Sequence, residues 1–267
     1  MLVSVTVGEV MTEQQVLIDQ DACIGCGKCV KVCVAHNLTV NNKKAETLFD
    51  DCLRCGQCVA VCPKDAVTLR GCEDEPLAKR KDLRLNPEDV LDVIRFRRSI
   101  RRFKEQKIPS EVLAQILEAG RLTHTAKNSQ DVSFVVLDQE KEAVEALAIR
   151  LFRRMKPFAD LVSPLSKNNK IDDHFFFFNA PLAIVILAAD KTNGLLAAQN
   201  MEFVAEAHGL GVLFSGFFTT AANNSRKIKK ALQVPKGKRV AMTLVLGYPD
   251  VEFLRSAPRK KLDVRYL

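Results

Sequence analysis

Eight of the nine cysteines fall into two copies of one spacing, which is the strongest chemical signal in the sequence. Residues 23–33 and 52–62 both read Cys-x2-Cys-x2-Cys-x3-Cys, and seven of the eleven positions are identical. Three such cysteines on a tight loop can bind three corners of an iron–sulfur cubane, and the fourth, one helical turn later, reaches the cubane of the other copy. The spacing therefore predicts two [4Fe–4S] clusters. One is held by Cys23, Cys26, Cys29 and Cys62, and the other by Cys52, Cys55, Cys58 and Cys33.

Zinc is the alternative to iron and sulfide at these positions. Structural zinc sites pair two Cys-x2-Cys units across a longer loop, whereas each loop here supplies three cysteines, which suits a cluster better. All nine cysteines lie between residues 23 and 72, and such clustering favours metal binding in a reducing compartment over disulfides. Cys72 has no partner in the pattern, and we interpret it as a linker thiol.

The sequence around the cysteines predicts a small domain with flanking strands, and the chain as a whole is expected in the cytoplasm. Strands at 16–18 and 66–69 flank the two loops, so the arrangement resembles a bacterial-type ferredoxin module with a two-fold βαβ-type unit. Apolar residues recur along residues 1–10 as in a strand, and this segment carries no cationic leader like that of a secretory signal. No apolar run in the sequence is long enough for a membrane span. We expect a cytoplasmic protein without a membrane partner.

Charge divides the chain at the same place as the cysteines. Residues 1–72 carry seven Lys or Arg and eight Asp or Glu, whereas residues 73–267 carry 33 and 24. The basic second part could reflect a nucleic acid, an anionic cofactor or an acidic partner domain. We predict a ferredoxin domain at 1–72, a charged linker at 73–86 and a second domain at 87–267.

A basic segment opens the second domain, with six cations in residues 95–104. It could be a solvated face or a nucleic-acid patch, or a cradle for a phosphate monoester that arginine forks bind bidentately. The spacing of Phe96, Ile100 and Phe103 predicts that these side chains are buried and anchor the segment.

Helices and strands alternate through the rest of the chain, which predicts an α+β domain. Asn86 and Pro87 begin a helix at 87–96. Further helices are predicted at 110–122, 140–153, 194–208 and 219–232, and strands at 132–137, 181–188, 211–217 and 240–246.

The basic segment and four later motifs together resemble the nitroreductase family of FMN enzymes over residues 88–267. The motifs lie at 97–103, 128–130, 197–201, 209–216 and 246–249, the last followed by the basic residues 259–261. The whole chain is similar to ferredoxin–nitroreductase fusion proteins. The resemblance implies a nitroreductase-like α+β fold and a homodimer with FMN at a two-fold interface.

The resemblance also implies residues that would bind FMN. Arg97, Ser99 and Arg101 would hold its phosphate and ribityl chain, with a contribution from the adjacent Arg98. Arg259 and Lys261 would close over the same phosphate. Asn128 and Gln130 would lie in the flavin-facing loop, and the backbone at Ser215 and Gly216 would approach flavin N5. Many family members have Pro-Trp after the second motif, but this chain has Asp131 and Val132. That difference concerns pocket shape and substrate choice.

No side-chain catalyst is predicted, because FMN would carry the chemistry. His124 precedes the flavin-facing loop and is either a proton donor or an ordinary loop residue. Glu202 and Glu206 are expected to make surface or dimer contacts, and the run Phe175–Phe178 to form core, dimer interface or a substrate-stacking wall.

These patterns predict an FMN-dependent oxidoreductase that passes electrons through two clusters to FMN. The acceptor would be a small organic molecule such as a nitroaromatic, a quinone or an activated alkene, and the donor a low-potential protein or NAD(P)H. A non-catalytic flavin and iron–sulfur electron carrier is the alternative. A second alternative function is a redox sensor that binds nucleic acid through residues 95–104, although we expect no nucleic-acid partner.

Overall fold

The computed structural model describes residues 15–72 and 74–267, so the strand expected within residues 1–10 lies outside the described residues. The chain divides into two compact units. The first ends at Leu83 and includes Lys127–Ser129, and the second comprises Arg84–Ala126 and Gln130–Leu267. Among the described residues, no helix is both long enough and apolar enough to cross a membrane.

The first unit is built from short elements around the two cysteine loops. Two antiparallel strand pairs, β1 with β4 and β2 with β3, accompany two five-residue helices. In chain order the elements are β1 (Val16–Ile18), α1 (Lys28–Val32), β2 (Leu38–Asn41), β3 (Lys44–Thr47), α2 (Gln57–Val61) and β4 (Val67–Leu69). The strands expected at 16–18 and 66–69 are therefore β1 and β4, which pair with each other.

Glycines allow both helices of the first unit to start immediately after a cysteine. Gly27 and Gly56 precede α1 and α2 with φ of 71° and 73°, a left-handed conformation that glycine adopts without the Cβ clash of other residues. Each helix then carries its third cysteine, Cys29 or Cys58, into the core of the unit. The repeat in the sequence is thus a repeat in the backbone.

The second unit consists of a four-stranded antiparallel sheet covered by helices on both faces. The strand order is β5-β6-β8-β7. The strands are β5 (Ser133–Leu137), β6 (Leu182–Ala188), β7 (Gly211–Phe214) and β8 (Arg239–Gly247). The helices are α3 (Pro87–Phe96), α4 (Ser110–Arg121), α5 (Lys141–Val162), α6 (Pro164–Asn168), α7 (Lys191–Ala207), α8 (Gly216–Asn224) and α9 (Arg226–Ala231).

Strand β6 shows why both faces of the sheet must be covered. All seven of its residues are buried. Successive side chains of a strand point to opposite faces, and here Ala183, Val185 and Leu187 join one hydrophobic cluster while Leu182, Ile184 and Ile186 join the other. The first cluster includes residues of α5, α8 and α9, and the second includes residues of α4 and α7. The expected α+β class is confirmed.

Most of the predicted elements of the second unit are present, although several bounds differ. Helix α7 begins at Lys191 rather than at 194. Helix α5 continues to Val162 rather than ending at 153. The strand expected at 211–217 ends at Phe214, because α8 already begins at Gly216. The helix expected at 219–232 is two helices, since Ser225 caps α9 by accepting a hydrogen bond from the Ile228 N–H. Phe96 is 47% exposed rather than buried, whereas Ile100 is buried.

Candidate functional site

The eight cysteines of the repeat line two separate cavities in the first unit, four cysteines to each. One cavity is lined by Cys23, Cys26, Cys29 and Cys62. The other is lined by Cys33, Cys52, Cys55 and Cys58. In each set the fourth cysteine comes from the other copy of the repeat, which is the crossed pairing that the spacing predicts. We refer to them as the first and the second cysteine set.

Backbone amides point at the sulfurs of both sets. The N–H groups of Ala45 and Ala66 lie 3.3 Å from Cys23 Sγ and Cys62 Sγ of the first set. In the second set, the Arg54 N–H lies 3.3 Å from Cys52 Sγ and the Asn37 N–H lies 3.4 Å from Cys33 Sγ. Such donors stabilise thiolate charge, as the ligands of a cluster require.

Burial acts against thiolates at the deepest cysteine of each set. It raises the pKa of Cys58 to about 11 and also raises the pKa of Cys29. A buried thiolate therefore needs a positive partner such as cluster iron. Across residues 15–72 and 74–267, no three His, Cys, Asp or Glu side chains converge on a position for a single metal ion. Cys72 is exposed and is not among the residues that line either cavity.

The basic segment of the second unit is an extended strap across one end of the sheet. The Ile100 N–H donates to the Val212 carbonyl of β7 at 3.1 Å, and the Lys104 N–H donates to the Tyr248 carbonyl just after β8 at 2.9 Å. The Asp250 N–H donates back to the Arg102 carbonyl at 2.9 Å. These bonds fix residues 97–104 between the ends of two neighbouring strands.

Two glycines of the later motifs provide the space in which this strap lies. A Cβ on Gly211 would overlap the Ile100 side chain. A Cβ on Gly247 would lie 2.9 Å from Phe103 Cδ1 and 2.6 Å from Pro181 Cδ. The glycines at 211 and 247 and the apolar residues at 100 and 103 are therefore parts of one packing arrangement.

Arg97 is held by a buried carboxylate from α7. Its Nη1 lies 2.6 Å from both carboxylate oxygens of Glu202, and Gln199 Nε2 donates to Glu202 Oε2 at 2.7 Å. The expectation that Glu202 makes surface or dimer contacts is wrong, because only 3% of the residue is exposed. The partners lie 105 residues apart, and no local pattern in the sequence indicates the pair.

The arginines of the strap still have donors to offer. Arg97 Nε and Arg98 Nη2 are buried and have no hydrogen-bond partner among the described residues. A buried polar group without a partner is costly, and two guanidinium N–H groups on adjacent residues suit the oxygens of a phosphate. The donor set at this site therefore fits the FMN phosphate that the resemblance implies. Ser99 and Arg101, on the same strap, are exposed.

Burial and charge also perturb Glu206, one helical turn after Glu202. Burial raises the pKa of Glu206, the charge of Glu202 raises it further, and Arg97 opposes both effects. Two carboxylates thus share one arginine on the inner side of α7. Glu206 is the less well compensated of the two, because the short contacts of Arg97 go to Glu202.

The predicted flavin-facing loop adopts an unusual backbone. Lys127, Asn128 and Gln130 have φ of 54°, 50° and 47°, which non-glycine residues seldom adopt and which occurs often at functional sites. The Gln130 N–H donates to Thr125 Oγ1 at 2.9 Å, which closes the loop on itself. Gln130 and His124 are exposed, and Asn128 is half-buried.

Asp131, the position that departs from the family pattern, anchors the end of this loop. Its Oδ2 accepts hydrogen bonds from the Ala189 and Asp190 N–H groups at 2.8 and 3.0 Å, and its Oδ1 accepts one from Asn193 Nδ2 at 2.7 Å. Asn193 Oδ1 in turn accepts from the Ala126 N–H at 3.0 Å. Sequence reasoning missed this anchoring role.

Ser215 and Gly216 stand at the turn from β7 into α8. Ser215 is fully engaged, since its N–H donates to the Thr243 carbonyl at 2.8 Å and its hydroxyl donates to the Phe176 carbonyl at 3.1 Å. Gly216 is exposed and begins α8, whose first N–H groups have no acceptor within the helix. Of these two residues, Gly216 is the one with a backbone donor available to a ligand.

The phenylalanine run is part of the core. Phe176 and Phe177 are buried, and their N–H groups donate to Glu145 Oε1 at 2.9 and 2.7 Å. Burial raises the pKa of Glu145, and these two hydrogen bonds oppose that rise. Phe175 and Phe178 are only partly buried and pack against the same cluster.

Arg259 and Lys261 are exposed in the segment after β8, where the structure has no helix or strand. The strap pairs with the start of β7 through Ser99 and Val212, and the β7–α8 turn, 215–216, follows the end of the same strand. Among the described residues, no hydrogen bond or ion pair connects Arg259 or Lys261 to them. The role of these two residues stays a prediction.

Comparison with known proteins matches both units. The profile described as the nitroreductase family matches residues 94–248, and the profile described as a 4Fe-4S dicluster domain matches residues 15–63. An iodotyrosine deiodinase of Thermotoga neapolitana is 24% identical over 187 residues, covering 66% of this chain and 97% of that protein. An NADPH-dependent oxidoreductase of Staphylococcus aureus is 23% identical over 182 residues, covering 66% of this chain and 71% of that protein.

A solved structure extends the match to the fold. A nitroreductase with bound FMN from Desulfitobacterium hafniense superimposes with a TM-score of 0.55 at 21% sequence identity. The superposition covers 68% of this chain and all of that one. At this identity the match establishes the shared fold of the second unit.

Proposed function

We propose that this chain, which belongs to the nitroreductase family, is an FMN-dependent oxidoreductase that takes electrons through two [4Fe–4S] clusters and reduces a small organic acceptor. The observation that carries the proposal is the pair of cavities lined by crossed sets of four cysteines, on the same chain as the nitroreductase fold. A family enzyme that is supplied only by a soluble reductant would not need such a module.

Three features support iron–sulfur clusters over zinc in the cysteine sets. The spacing supplies three cysteines from each loop and one from the other copy, as two-cluster ferredoxins do. Each set receives two backbone N–H···S contacts. A cubane needs four sulfurs around one volume, and each cavity is lined by four cysteines.

The partnerless guanidinium donors of Arg97 and Arg98 support FMN at the strap. We propose that Arg97, Arg98, Ser99 and Arg101 hold its phosphate and ribityl chain, with Arg259 and Lys261 closing over the phosphate. Asn128 and Gln130 would face the flavin ring, and the Ser215–Gly216 turn would offer the Gly216 N–H to its N5 edge. The net charge of +9 on residues 73–267 suits a dianionic phosphate.

When bound, FMN can collect single electrons from clusters and deliver them to an acceptor in pairs. The side chains of this protein have to bind, orient and exclude water. Glu202 fixes the Arg97 guanidinium, so that its Nε keeps one direction. The bonds of Ser215 to Thr243 and Phe176 fix the turn that carries the Gly216 N–H, and a fixed donor stabilises negative charge without reorganisation.

We also propose an electron donor, a class of electron acceptor and a dimeric assembly for this protein. A low-potential protein or NAD(P)H would supply electrons, and the NADPH-dependent relative supports the second. Nitroaromatics, quinones and activated alkenes are the proposed acceptors.

A homodimer is supported by exposed apolar side chains at the end of α5 and the start of α8, since such patches mark interfaces. They are Met155, Phe158, Leu161, Val162 and Phe217.

Replacing Cys55 and Cys58 with Ser tests the internal electron path. We expect the variant to keep FMN and to lose most of its turnover with reduced ferredoxin as donor, because the second set can no longer hold its cluster. The matched control is Cys72→Ser, which removes a thiol that lines neither cavity and should leave turnover unchanged. Unchanged ferredoxin-driven turnover in the Cys55 and Cys58 variant would refute the path, and absence of bound flavin in the wild type would refute the proposal as a whole.

A further inference from the structure

We propose that the two clusters are not equivalent, and that the cluster of the first cysteine set has the higher reduction potential because three lysines surround it. The electron that enters the module then resides on the first cluster before the second is reduced. This inference rests on the proposed function, since it assumes a cubane in each set. It names Lys28, Lys44 and Lys64 as residues that tune one cluster and leave the other almost unaffected.

The two sets are closely matched in the exposure class of their cysteines and in their backbone N–H···S contacts. Each has one exposed cysteine, Cys26 or Cys55, and one buried cysteine, Cys29 or Cys58. Each receives two backbone N–H···S contacts of 3.3 to 3.4 Å. Hydrogen bonding to sulfur and solvent exposure are two of the main determinants of cluster potential, so neither separates the sites.

The two cysteine sets differ in the charged side chains near them. Lys28 and Lys64 line the cavity of the first set, whereas the described residues that line the second cavity include no charged side chain. Lys44 adds a third cation, since its Nζ donates to the carbonyl of Cys23 at 2.8 Å and also to the carbonyl of Gln20. Reduction adds one negative charge to a cluster, and nearby cations stabilise that charge through Coulomb attraction.

The other charged groups near the sets do not cancel this difference. Asp19 and Asp21 precede the first loop, and Asp50 and Asp51 precede the second, so each set has two nearby carboxylates. Asp65 follows Lys64 and offsets part of its charge. The second loop has one cation, Arg54, and its guanidinium Nε donates to Gln15 Oε1 at 3.1 Å rather than lining the cavity.

The fold explains the asymmetry, because the turn of the β2–β3 hairpin packs against the first loop. Gly25 has φ of 64° and packs so closely on the Lys43 carbonyl that a Cβ would overlap it. The equivalent position of the second loop is Arg54, whose φ is also positive, at 50°. The first loop therefore needs glycine to make room for the hairpin, and the hairpin delivers Lys44 to the backbone of Cys23.

An anaerobic redox titration of the full holoprotein, followed by electron paramagnetic resonance, tests the proposal. Iron and sulfide are counted first, because fewer than eight irons per chain would refute the proposed function rather than this inference. With eight irons, we expect two separate waves, with the ratio of reduced to oxidised form at least ten times higher for one cluster than for the other midway through the first wave. A tenfold ratio corresponds to about 59 mV for one electron.

Variants assign the waves to the two sites. Lys28→Gln combined with Lys64→Gln should shift the higher wave to lower potential and leave the lower wave in place, because both lysines line only the first cavity. The matched control is Lys31→Gln, on the same helix as Lys28 but outside both cavity linings. Lys44→Gln should shift the higher wave in the same direction.

Three results would overturn the inference. They are two clusters that titrate together in the wild type, a shift of the lower wave in the double lysine variant, and an equal shift in the Lys31 control. The substitutions at Lys28 and Lys64 are on exposed side chains, and iron content reports whether each variant still assembles both clusters.

Discussion

The ion pair between Arg97 and Glu202 gives the first prediction at the scale of single residues. Removing one partner of a buried pair leaves the other charge uncompensated, which costs more than the pair itself contributes. We expect Glu202→Gln to lower the free energy of unfolding by about 1–3 kcal/mol, since Arg97 is still partly exposed. Guanidinium-induced unfolding of the second unit measures the loss.

A double-mutant cycle with Arg97→Met separates pairing from packing. The double variant should lose less than the sum of the two single losses, because neither member of the Arg97–Glu202 pair is then left without its partner. The exposed pair of Glu118 and Arg121 is the control, and Glu118→Gln should cost less than about 1 kcal/mol. Strictly additive losses, or equal losses at Glu202 and Glu118, would contradict the argument.

Glu206 gives a prediction about pH. The pKa of Glu206 is raised, mainly by burial. The contribution of Glu206 to the free energy of unfolding is therefore complete below the pKa that this group has in the unfolded chain, and it is lost as pH rises through the pKa of the folded state. Glu206→Gln mimics the protonated form, so the variant should melt at a higher temperature than the wild type at pH 8 and show a smaller advantage at pH 5. Glu118, whose pKa is lowered by its hydrogen bond to Arg121, should show the opposite sign on substitution with Gln. An advantage at Glu206 that does not change with pH would refute the assignment.

Among the elements, the strap of residues 97–104 depends on glycine in the neighbouring strand. A Cβ at position 211 overlaps Ile100, so Gly211→Ala should displace the strap and its arginines. If the arginines bind FMN as proposed, the dissociation constant of FMN should rise at least about tenfold, a loss of about 1.4 kcal/mol. Fluorescence titration of the apoprotein with FMN measures it.

Gly237→Ala is the matched control for this substitution. Gly237 has φ of 87° and nothing within 4 Å of its added Cβ, so alanine there adds backbone strain without pushing on the strap. We expect this variant to lose stability but to bind FMN with unchanged affinity. If both variants weaken FMN binding equally, general destabilisation rather than the position of the strap is responsible.

Local patterns predicted those elements whose signals are local. The start of α3 was predictable because Asn86, Pro87 and the acidic first turn are a strong capping signal, and Asn86 does accept a hydrogen bond from the Glu88 N–H. The break at Ser225 was missed because serine is tolerated inside a helical pattern. The pairing of Arg97 with Glu202 and the anchoring of the loop by Asp131 join residues far apart in sequence, so periodicity carries no trace of them.

In the whole molecule, the two units differ in the size of their hydrophobic cores. Within the described residues 15–83, the core cluster of the first unit has six buried residues, two of which are the cysteines Cys29 and Cys58. The second unit has two hydrophobic clusters with 18 and 11 buried residues. We therefore expect the first unit to depend on bound metal for its stability and the second unit to be stable without it.

Removal of the clusters should therefore unfold one unit and spare the other. After anaerobic treatment with a chelator and an oxidant, we expect trypsin to cut rapidly within residues 15–83, since the apolar area left to bury there is small. The fragment that begins near Arg84 should resist cleavage and keep its helical circular dichroism signal, because its two hydrophobic core clusters contain no cysteine. Mass spectrometry of the digestion products identifies the surviving fragment. A first unit that stays protected without iron, or a second unit that is degraded at the same rate, would show that the stability of the two units is not divided in this way.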